Sequence, residues 1–325
     1  MTCGEAENAF ALSVIEARKV DAGVVAREKA STVKKNGILE VVTVAESLED
    51  IGGLDGLKDW LVKRKGAFSQ RAIEYGLPSP KGLLIVGIPG TGKSLTAKAS
   101  ASVFGRPLLK LDAGKLFGSL VGQSESNLRS VIQTAEAVAP CVLFIDELEK
   151  GFAGSRGSGS ADGGTASRVF GSFISWMQEK TAPVFVVATA NDVTQLPPEL
   201  LRKGRWDDLF FVDLPNEEER RIIWDIQIRK RGRDPAVFNL KELVEMSDGY
   251  TGAEIEQAFI DALYAAFAQD KEPDTGLIVR ATADSVPLSK LMAEQIEALR
   301  SWSQGRCRYA TSSTPMVTDL SQMSK

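Results

Sequence analysis

The run Gly87-Ile88-Pro89-Gly90-Thr91-Gly92-Lys93-Ser94 constrains this chain more than any other feature of its sequence. Apolar residues 83–86 precede it, and helix-favouring residues 95–101 follow it. A glycine-rich turn between a strand and a helix directs backbone N–H groups and the positive end of the helix at phosphates. We therefore predict a nucleoside triphosphate site in which Lys93 neutralises the phosphates and the Ser94 hydroxyl holds Mg²⁺. A plain turn between a strand and a helix is the alternative.

A second apolar stretch, residues 141–145, predicts a buried strand that ends in two acids, Asp146 and Glu147. Phosphoryl transfer requires mainly positioning and charge neutralisation. In that chemistry Asp146 would orient the magnesium shell and Glu147 would polarise the attacking water. A solvated acidic turn after a buried strand is the alternative, and the phosphate loop upstream favours the catalytic interpretation.

Composition limits the classes of function. The chain has 325 residues, 43% of them apolar, which is enough for one large α/β domain and a smaller one. Histidine is absent, so this chain holds no histidine-based zinc site and no Ser-His-Asp or Cys-His nucleophile. The net charge is −4 and no block of Lys and Arg stands out, so nucleic acid is a less favoured partner than protein.

Three scattered cysteines, Cys3, Cys141 and Cys307, predict free thiols in a reducing compartment. The sequence shows neither a signal peptide nor a membrane-spanning stretch, so we expect no membrane association. We expect a cytoplasmic protein, or a protein of the plastid stroma if the chain comes from an alga.

The order of the predicted elements indicates a parallel sheet. Strands alternate with helices after residue 82, and this alternation implies right-handed helical crossovers with a nucleotide at the carboxyl ends of the strands. After Pro215 only helices are predicted. The predicted strands are 83–86, 107–112, 141–145, 183–189 and 208–213, and the predicted helices are 93–104, 124–138, 165–179, 216–231, 239–246, 251–268 and 288–302.

The predicted fold is α/β, with a P-loop NTPase parallel sheet followed by a small all-helical lid domain. Residues 1–46 form an amino-terminal arm, with helices over 5–18 and 22–35 and a strand over 38–44. The remaining predicted boundaries are a nucleotide-binding domain over 47–215, a lid and last helix over 216–304, and a flexible tail over 305–325.

Residues 47–270 resemble the AAA+ ATPases. Asp50-Ile51-Gly52-Gly53 is similar to the adenine-side motif of that family, and Val186 to Trp224 is similar to its second region of homology. Within that region Asn191 matches the residue that senses the γ-phosphate, and Leu201-Arg202-Lys203-Gly204-Arg205 matches the paired arginine fingers. Gly252-Ala253-Glu254 matches the lid position where the branch with proteasomal ATPases and membrane AAA proteases lacks a sensor arginine.

This resemblance implies an AAA+ core that hydrolyses ATP with Mg²⁺, works as a ring, expected to be a hexamer, and remodels a protein client. It implies catalytic roles for Lys93, Glu147, Asn191, Arg202 and Arg205, and metal binding by Ser94 and Asp146. The nucleotide contacts that it implies are Ile51, Gly52, Pro89, Gly90, Thr91, Gly92, Lys93, Ser94, Leu95, Gly252 and Ala253.

A narrower resemblance links the chain to the uncharacterised AAA ATPases encoded in algal plastid and cyanobacterial genomes. It rests on residues 34–40, 66–70 and 286–290. Those relatives are longer at the amino terminus, so we expect this chain to be a fragment or a short member. The family has no settled substrate, so this likeness adds little about function.

The chain departs from its relatives at the expected pore loop. The usual aromatic, aliphatic and glycine triplet is replaced by Leu120-Val121-Gly122, with Phe117 one helical turn earlier. A loop without the aromatic ring grips a threaded polypeptide less firmly. Three alternatives to a protein remodeller stay open: a nucleic-acid-stimulated motor, a nucleotide-gated scaffold with slow turnover, and the ATPase module of a protease partner.

Overall fold

A mixed sheet forms the centre of the larger domain. The computed structural model describes residues 3–21, 24–25, 38–117, 123–151, 162–202 and 204–311. Within these residues seven strands form the sheet, in the spatial order first, third, fourth, fifth, second, sixth and seventh. They are β1 (Leu39–Val42), β2 (Gly82–Gly87), β3 (Leu108–Leu111), β4 (Cys141–Ile145), β5 (Val184–Ala190), β6 (Asp208–Val212) and β7 (Arg308–Tyr309).

Strands β2 to β6 run parallel, which confirms the predicted fold class. β5 lies between β4 and β2, so the carboxyl ends of these three strands are neighbours at one edge of the sheet. Residues 83–86 of β2 are fully buried. An almost continuous apolar run is typical of parallel strands because helices cover both of their faces.

Thirteen α-helices occur in the described residues, and none of them is long and apolar enough to cross a membrane. They are α1 (Cys3–Ala17), α2 (Asp55–Lys63), α3 (Gln70–Glu74), α4 (Lys93–Phe104), α5 (Ala113–Phe117), α6 (Gln123–Val138), α7 (Asp162–Glu179), α8 (Glu217–Lys230), α9 (Leu240–Met246), α10 (Gly252–Phe267), α11 (Thr275–Ala283), α12 (Leu288–Leu291) and α13 (Ala293–Ser303). Short 3-10 turns occur at Leu48–Asp50, Leu148–Gly151, Val193–Gln195, Pro198–Leu201 and Pro235–Val237.

Helices cover both faces of the sheet, so the larger domain has three layers. On one face α6 and α7 bury apolar side chains such as Leu128 and Phe173. On the other face α2 and α4 contribute Trp60 and Phe104. The Trp60 ring meets the edge of Phe210, a β6 residue, with 5.8 Å between centroids. The two apolar layers hold the sheet rigid, and the site lies at its edge.

The lid is a separate helical unit with its own apolar core. Trp224 of α8 and Phe259 of α10 are fully buried in it. Capping boxes at Asn216 and Thr251 fix the starts of α8 and α10. Helix α11 was not predicted from the sequence. The predicted helix over 288–302 is divided at Met292, whose backbone lies outside the helical region.

One carboxylate joins the lid to two other segments. Glu219 lies in the first turn of α8 and is 6% exposed. Its oxygens accept the N–H groups of Asn216 and Leu54, both at 3.0 Å, and the hydroxyl of Thr311 at 2.7 Å. The start of the lid is thereby bonded to the loop before α2 and to the carboxyl-terminal segment.

The amino-terminal strand belongs to the sheet. It was predicted as part of the arm over residues 1–46, whereas β1 pairs antiparallel with β3, with Leu39 opposite Leu111. Helix α1 ends at Ala17, one residue before the end of the helix predicted over 5–18. Only residues 24–25 of the predicted helix over 22–35 are described.

Residues 305–311 also belong to the ordered core, so the prediction of a flexible tail is wrong for them. β7 pairs parallel with β6, and Ala310 is fully buried. The Ala310 N–H donates to Phe211 O at 2.9 Å, and Leu57 N–H donates to Ala310 O at 3.0 Å. A two-residue strand has no periodicity to recognise, so its burial follows from tertiary contacts alone. Residues 312–325 lie outside the described residues.

Two truncations test this boundary. Removing residues 305–325 breaks the β6–β7 pairing and the packing of Tyr309 on Phe211, so we expect the free energy of unfolding to fall by about 2–4 kcal/mol. Removing only residues 312–325 is the control and leaves these contacts in place. Denaturant unfolding measures both, and equal stability of the two shortened chains would contradict the structural role of β7.

Candidate nucleotide-binding site

A cleft of about 800 Å³ lies at the carboxyl edge of the parallel strands, between the larger domain and the lid. It contains every residue that the sequence analysis assigns to nucleotide or metal, and two of the predicted catalytic residues besides Lys93. Arg202 and Arg205 do not line it. The predicted residues that line it are Ile51, Gly52, Pro89, Gly90, Thr91, Gly92, Lys93, Ser94, Leu95, Asp146, Glu147, Asn191, Gly252 and Ala253.

The loop between β2 and α4 is shaped for an anion. Gly90 has a φ of +77° and Gly92 a φ of +92°, which L-side chains rarely adopt. A Cβ on Gly90 would lie 2.8 Å from the Thr251 hydroxyl of the lid. Among the described residues no side chain caps the start of α4 at Gly92, so the N–H groups of its first turn are available to an anionic ligand.

Lys93, the first residue of α4, is the buried cation of the site. It is 6% exposed, and its ammonium donates to Gly87 O at 2.9 Å and to Ile88 O at 2.6 Å. Burial lowers the pKa of Lys93 to about 8, against the opposing effect of nearby carboxylates, of which Glu149 acts most strongly. The loop carbonyls accept hydrogen bonds from the Lys93 ammonium, and a phosphate can replace them as its partner.

Asp146 joins the ends of three strands. Its Oδ1 accepts the hydroxyl of Ser94 at 2.9 Å and the hydroxyl of Thr189 at 2.7 Å. Its Oδ2 lies 3.7 Å from the Lys110 ammonium. Ser94 follows the loop after β2, Asp146 follows β4, and Thr189 is near the end of β5. The network therefore connects the carboxyl ends of these three adjacent strands.

The oxygens of Ser94 and Asp146 suit a magnesium ion. Within the described residues no three carboxylate or thiol side chains gather into a cage that could hold a metal alone. Mg²⁺ ordinarily takes one or two protein oxygens and fills its octahedral shell with water and phosphate oxygens. One carboxylate beside one hydroxyl, next to a phosphate loop, matches that requirement.

Glu147 has both oxygens engaged. Oε1 accepts a hydrogen bond from Asn191 Nδ2 at 3.3 Å, and Oε2 pairs with the Lys150 ammonium. The Glu147 N–H donates to the Thr189 hydroxyl at 3.0 Å. Its φ of +49° is strained for a residue with a Cβ, and such strain is found most often at functional sites.

Sequence reasoning missed two buried polar residues here, Glu149 and Thr189. Glu149 is 6% exposed, and its Oε1 accepts the Asn191 N–H at 2.9 Å. Burial raises the pKa of the Glu149 carboxyl. Its other oxygen has no hydrogen-bond partner in the described part of the chain. A polar residue inside an apolar strand, as Thr189 is, was the available signal.

The lid closes one side of the cleft and touches the phosphate loop. The Ala253 N–H, in the first turn of α10, donates to Gly90 O at 3.1 Å. Ile51 is 3% exposed, and its carbonyl accepts the Lys58 ammonium at 2.6 Å. Sequence reasoning did not find the lid residues that complete this wall, which are Ile223, Ile226, Gln227, Lys230 and Glu256.

Arg202 and Arg205 lie apart from the cleft of their own chain. Arg202 follows the 3-10 turn Pro198–Leu201 and is exposed, and Arg205 is partly exposed. Their assignment as arginine fingers stays a prediction. The predicted pore residues Leu120, Val121 and Gly122 lie outside the described residues, while Phe117 is the last residue of α5.

Comparison with protein families matches residues 83–214 to the ATPase family associated with various cellular activities (AAA). Residues 238–276 match the AAA+ lid domain. The chain carries an AAA ATPase domain followed by an AAA lid. The first match spans the phosphate loop, Asp146 and Asn191, and the second spans Gly252 and Ala253.

Two curated relatives share the name "Uncharacterized AAA domain-containing protein ycf46". The chain is 49% identical over 290 residues to the protein from Pyropia yezoensis and 50% identical over 287 residues to that from Trieres chinensis. These alignments cover 89% and 88% of this chain, but 58% and 57% of the relatives. The chain therefore spans less than two thirds of their length, and the narrower resemblance found in the sequence is confirmed.

Among solved structures, the crystal structure of the FIGL-1 AAA domain superposes with a TM-score of 0.67 at 20% identity. The match covers 86% of this chain and 95% of that domain. At this identity the likeness establishes the fold, an AAA sheet with its lid, and nothing about substrate.

The lowered pKa of Lys93 predicts a pH dependence of ATP binding. A triphosphate favours the charged ammonium, so above about pH 8 binding must be accompanied by proton uptake. We expect affinity to be constant below about pH 7 and to fall by up to about tenfold per pH unit above about pH 8. Calorimetry in buffers with different ionisation enthalpies measures the proton uptake.

Lys180 supplies the control. Burial lowers its pKa to about 8 as well, but its ammonium donates to Pro80 O and Val184 O, away from the cleft. The Lys180→Met variant should keep the full pH dependence of ATP binding. Wild-type affinity that does not change up to about pH 9.5 would contradict the coupling to Lys93.

Proposed function

We propose that this chain hydrolyses ATP with Mg²⁺, works in a ring that is expected to be a hexamer, and remodels a protein partner. One observation carries the proposal. Lys93, the Ser94–Asp146 pair, Glu147 and Asn191 meet at the ends of three adjacent strands, in a cleft that a lid helix closes. Phosphoryl transfer needs this set of a phosphate cradle, a metal-binding carboxylate and a second carboxylate for water.

Each group has a distinct task in this reaction. The N–H groups of the loop and the Lys93 ammonium bind the phosphates, and Ser94 and Asp146 hold the metal. Mg²⁺, when bound, neutralises phosphate charge that builds up in the transition state. Glu147 orients the attacking water and draws off its proton, while Asn191, at the end of β5, donates toward the γ-phosphate or Glu147.

A ring supplies the missing cations. The described cleft contains Lys93 and Lys230 as its cationic side chains, and Arg202 and Arg205 lie outside it. An arginine supplied in trans stabilises transition-state charge and increases the rate by about 10³–10⁵-fold in related chemistry. We assign Arg202 and Arg205 to the site of the neighbouring copy, so that a monomer turns over slowly.

A protein is the favoured client. The net charge of −4 is consistent with a protein partner rather than a polynucleotide. The client is tested by purifying rings of a hydrolysis-deficient variant with ATP and identifying what remains bound. Strong stimulation of ATPase activity by DNA or RNA, with no protein retained, would favour the motor alternative.

One observation favours the second candidate, a nucleotide-gated scaffold with slow turnover. Each oxygen of Glu147 already has a partner, Asn191 or Lys150, and these contacts compete with an attacking water for the carboxylate. Single-turnover kinetics distinguishes the two candidates. A chemical step that stays slow in assembled rings with client present would indicate the scaffold.

The Glu147→Gln variant tests the catalytic assignment. The amide keeps the size and one acceptor oxygen but cannot take a proton, so we expect ATP affinity near wild type and turnover at least about a hundredfold slower. Lys93→Ala should instead lose ATP binding. Equilibrium binding and phosphate release measure the two effects, and wild-type turnover of Glu147→Gln would refute the role of this carboxylate.

Mixing subunits tests action in trans. Arg202→Ala or Arg205→Ala should leave ATP affinity nearly intact and abolish turnover. Rings that combine either variant with Lys93→Ala subunits should recover activity, because an intact phosphate site then meets an intact arginine. Absence of recovery in rings shown to be mixed would count against fingers in trans.

A further inference from the structure

The segment that carries the two arginines is held by more than its own turn. We call Arg202 and residues 204–206 the finger segment. Gly204 has a φ of +91°, which turns the chain between the arginines. Trp206 is 4% exposed, and its Nε1 donates to Leu200 O at 2.9 Å. A buried indole therefore anchors one end of the segment in the apolar layer under the sheet.

Two polar side chains tie this segment to the start of β2. The Lys81 ammonium donates to Gly204 O at 2.9 Å. Asp207 Oδ2 accepts the N–H groups of Lys81 at 2.8 Å and of Gly82 at 2.9 Å, and the Asp207 N–H donates to Gly82 O at 2.8 Å. The side chain of Lys81, before β2, thus bonds the turn at Gly204, and the side chain of Asp207, after the turn, bonds the backbone at the start of β2.

The strand at the other end of these bonds cannot shift easily. A Cβ on Gly82 would lie 2.0 Å from Val186 O of β5, so β2 starts in close contact with its neighbour. Residues 83–86 are fully buried between β5 and β6. The strand then ends at Gly87, whose carbonyl accepts Lys93. One buried strand thus connects the chain's own phosphate loop to the arginines on its surface.

We infer that Lys81 and Asp207 are positioning residues that hold Arg202 and Arg205 toward the nucleotide of the neighbouring copy. The inference rests on the proposed function. Charge stabilisation works when the donor is already in place, and a shift of about 1 Å can cost about a hundredfold in rate. Long arginine side chains on an exposed turn gain that placement from a fixed backbone.

The chain offers matched variants. Lys81→Met keeps the length of a half-buried side chain and removes the donor to Gly204, and the exposed Lys65→Met is its control. Asp207→Leu removes the acceptor, whereas Asp207→Asn keeps a carbonyl oxygen that can accept both N–H groups. Thermal melting checks that each variant folds, and Lys81→Met carries the test if Asp207→Leu does not.

We expect unchanged ATP affinity in all four variants. Turnover in homogeneous rings should fall by about tenfold in Lys81→Met and by about thirtyfold in Asp207→Leu, and should stay within about threefold of wild type in Asp207→Asn and Lys65→Met. In rings mixed with Lys93→Ala, turnover at the intact phosphate sites of Lys81→Met subunits should recover. Recovery shows that the defect lies in what the subunit offers to its neighbour.

Two results overturn the inference alone. The first is wild-type turnover of both Lys81→Met and Asp207→Leu when Arg202→Ala is inactive. The second is a turnover defect that mixing with Lys93→Ala subunits does not relieve, because such a defect would act through the subunit's own phosphate loop. Wild-type turnover of both Arg202→Ala and Arg205→Ala would overturn the proposed trans mechanism and the inference with it.

Discussion

The two hydrogen bonds that Asp146 accepts, from Ser94 and Thr189, hold the cleft together. They connect the helix after the phosphate loop, the end of β4 and the end of β5, which are distant in sequence. Glu147 depends on the same network, because its N–H donates to the Thr189 hydroxyl. The polar groups are therefore arranged before any ligand arrives, and a preorganised site spends little free energy on reorientation during reaction.

The buried ammonium of Lys93 is also held in place before any ligand binds. A charge in this position would be costly without partners, and the carbonyls of Gly87 and Ile88 provide them. The loop is thus folded around its own cation. A triphosphate bound here would replace neutral carbonyl partners with charged oxygens, which would give a large electrostatic gain at little cost in backbone change.

Much of this arrangement could be predicted from the sequence, for identifiable reasons. The apolar runs 83–86 and 141–145 contain neither Gly nor Pro and lead directly into the glycine-rich loop and Asp146, so strand and site are signalled together. Glu149 could not be assigned, because its importance lies in a contact with Asn191 that no spacing reveals, whereas Thr189 was signalled only as a polar residue inside an apolar strand and its contact with Asp146 was not. The roles given to Arg202 and Arg205 stay predictions, because they concern a second copy.

The places of two strands in the sheet depend on tertiary pairing, which local sequence patterns do not reveal. β7 has two residues and owes its place to β6, and β1 joins the sheet through β3 although it follows the arm in sequence. Helix α11 has an Asp274 cap and one buried face around Ile278, a signal too short to separate from a loop.

Glu219 bonds the first helix of the lid to two segments outside the lid. Its two oxygens are shared by the loop at Leu54, the cap at Asn216 and the hydroxyl of Thr311. Each bond to a buried carboxylate is worth about 1.5–3 kcal/mol, and the lid cannot rotate away from the loop while all of them persist. Rotation of the lid away from the larger domain would have to break the bonds to Leu54 and Thr311 or carry both segments with it. The carboxyl-terminal segment thus helps to hold the first helix of the lid in place from 92 residues further along the chain.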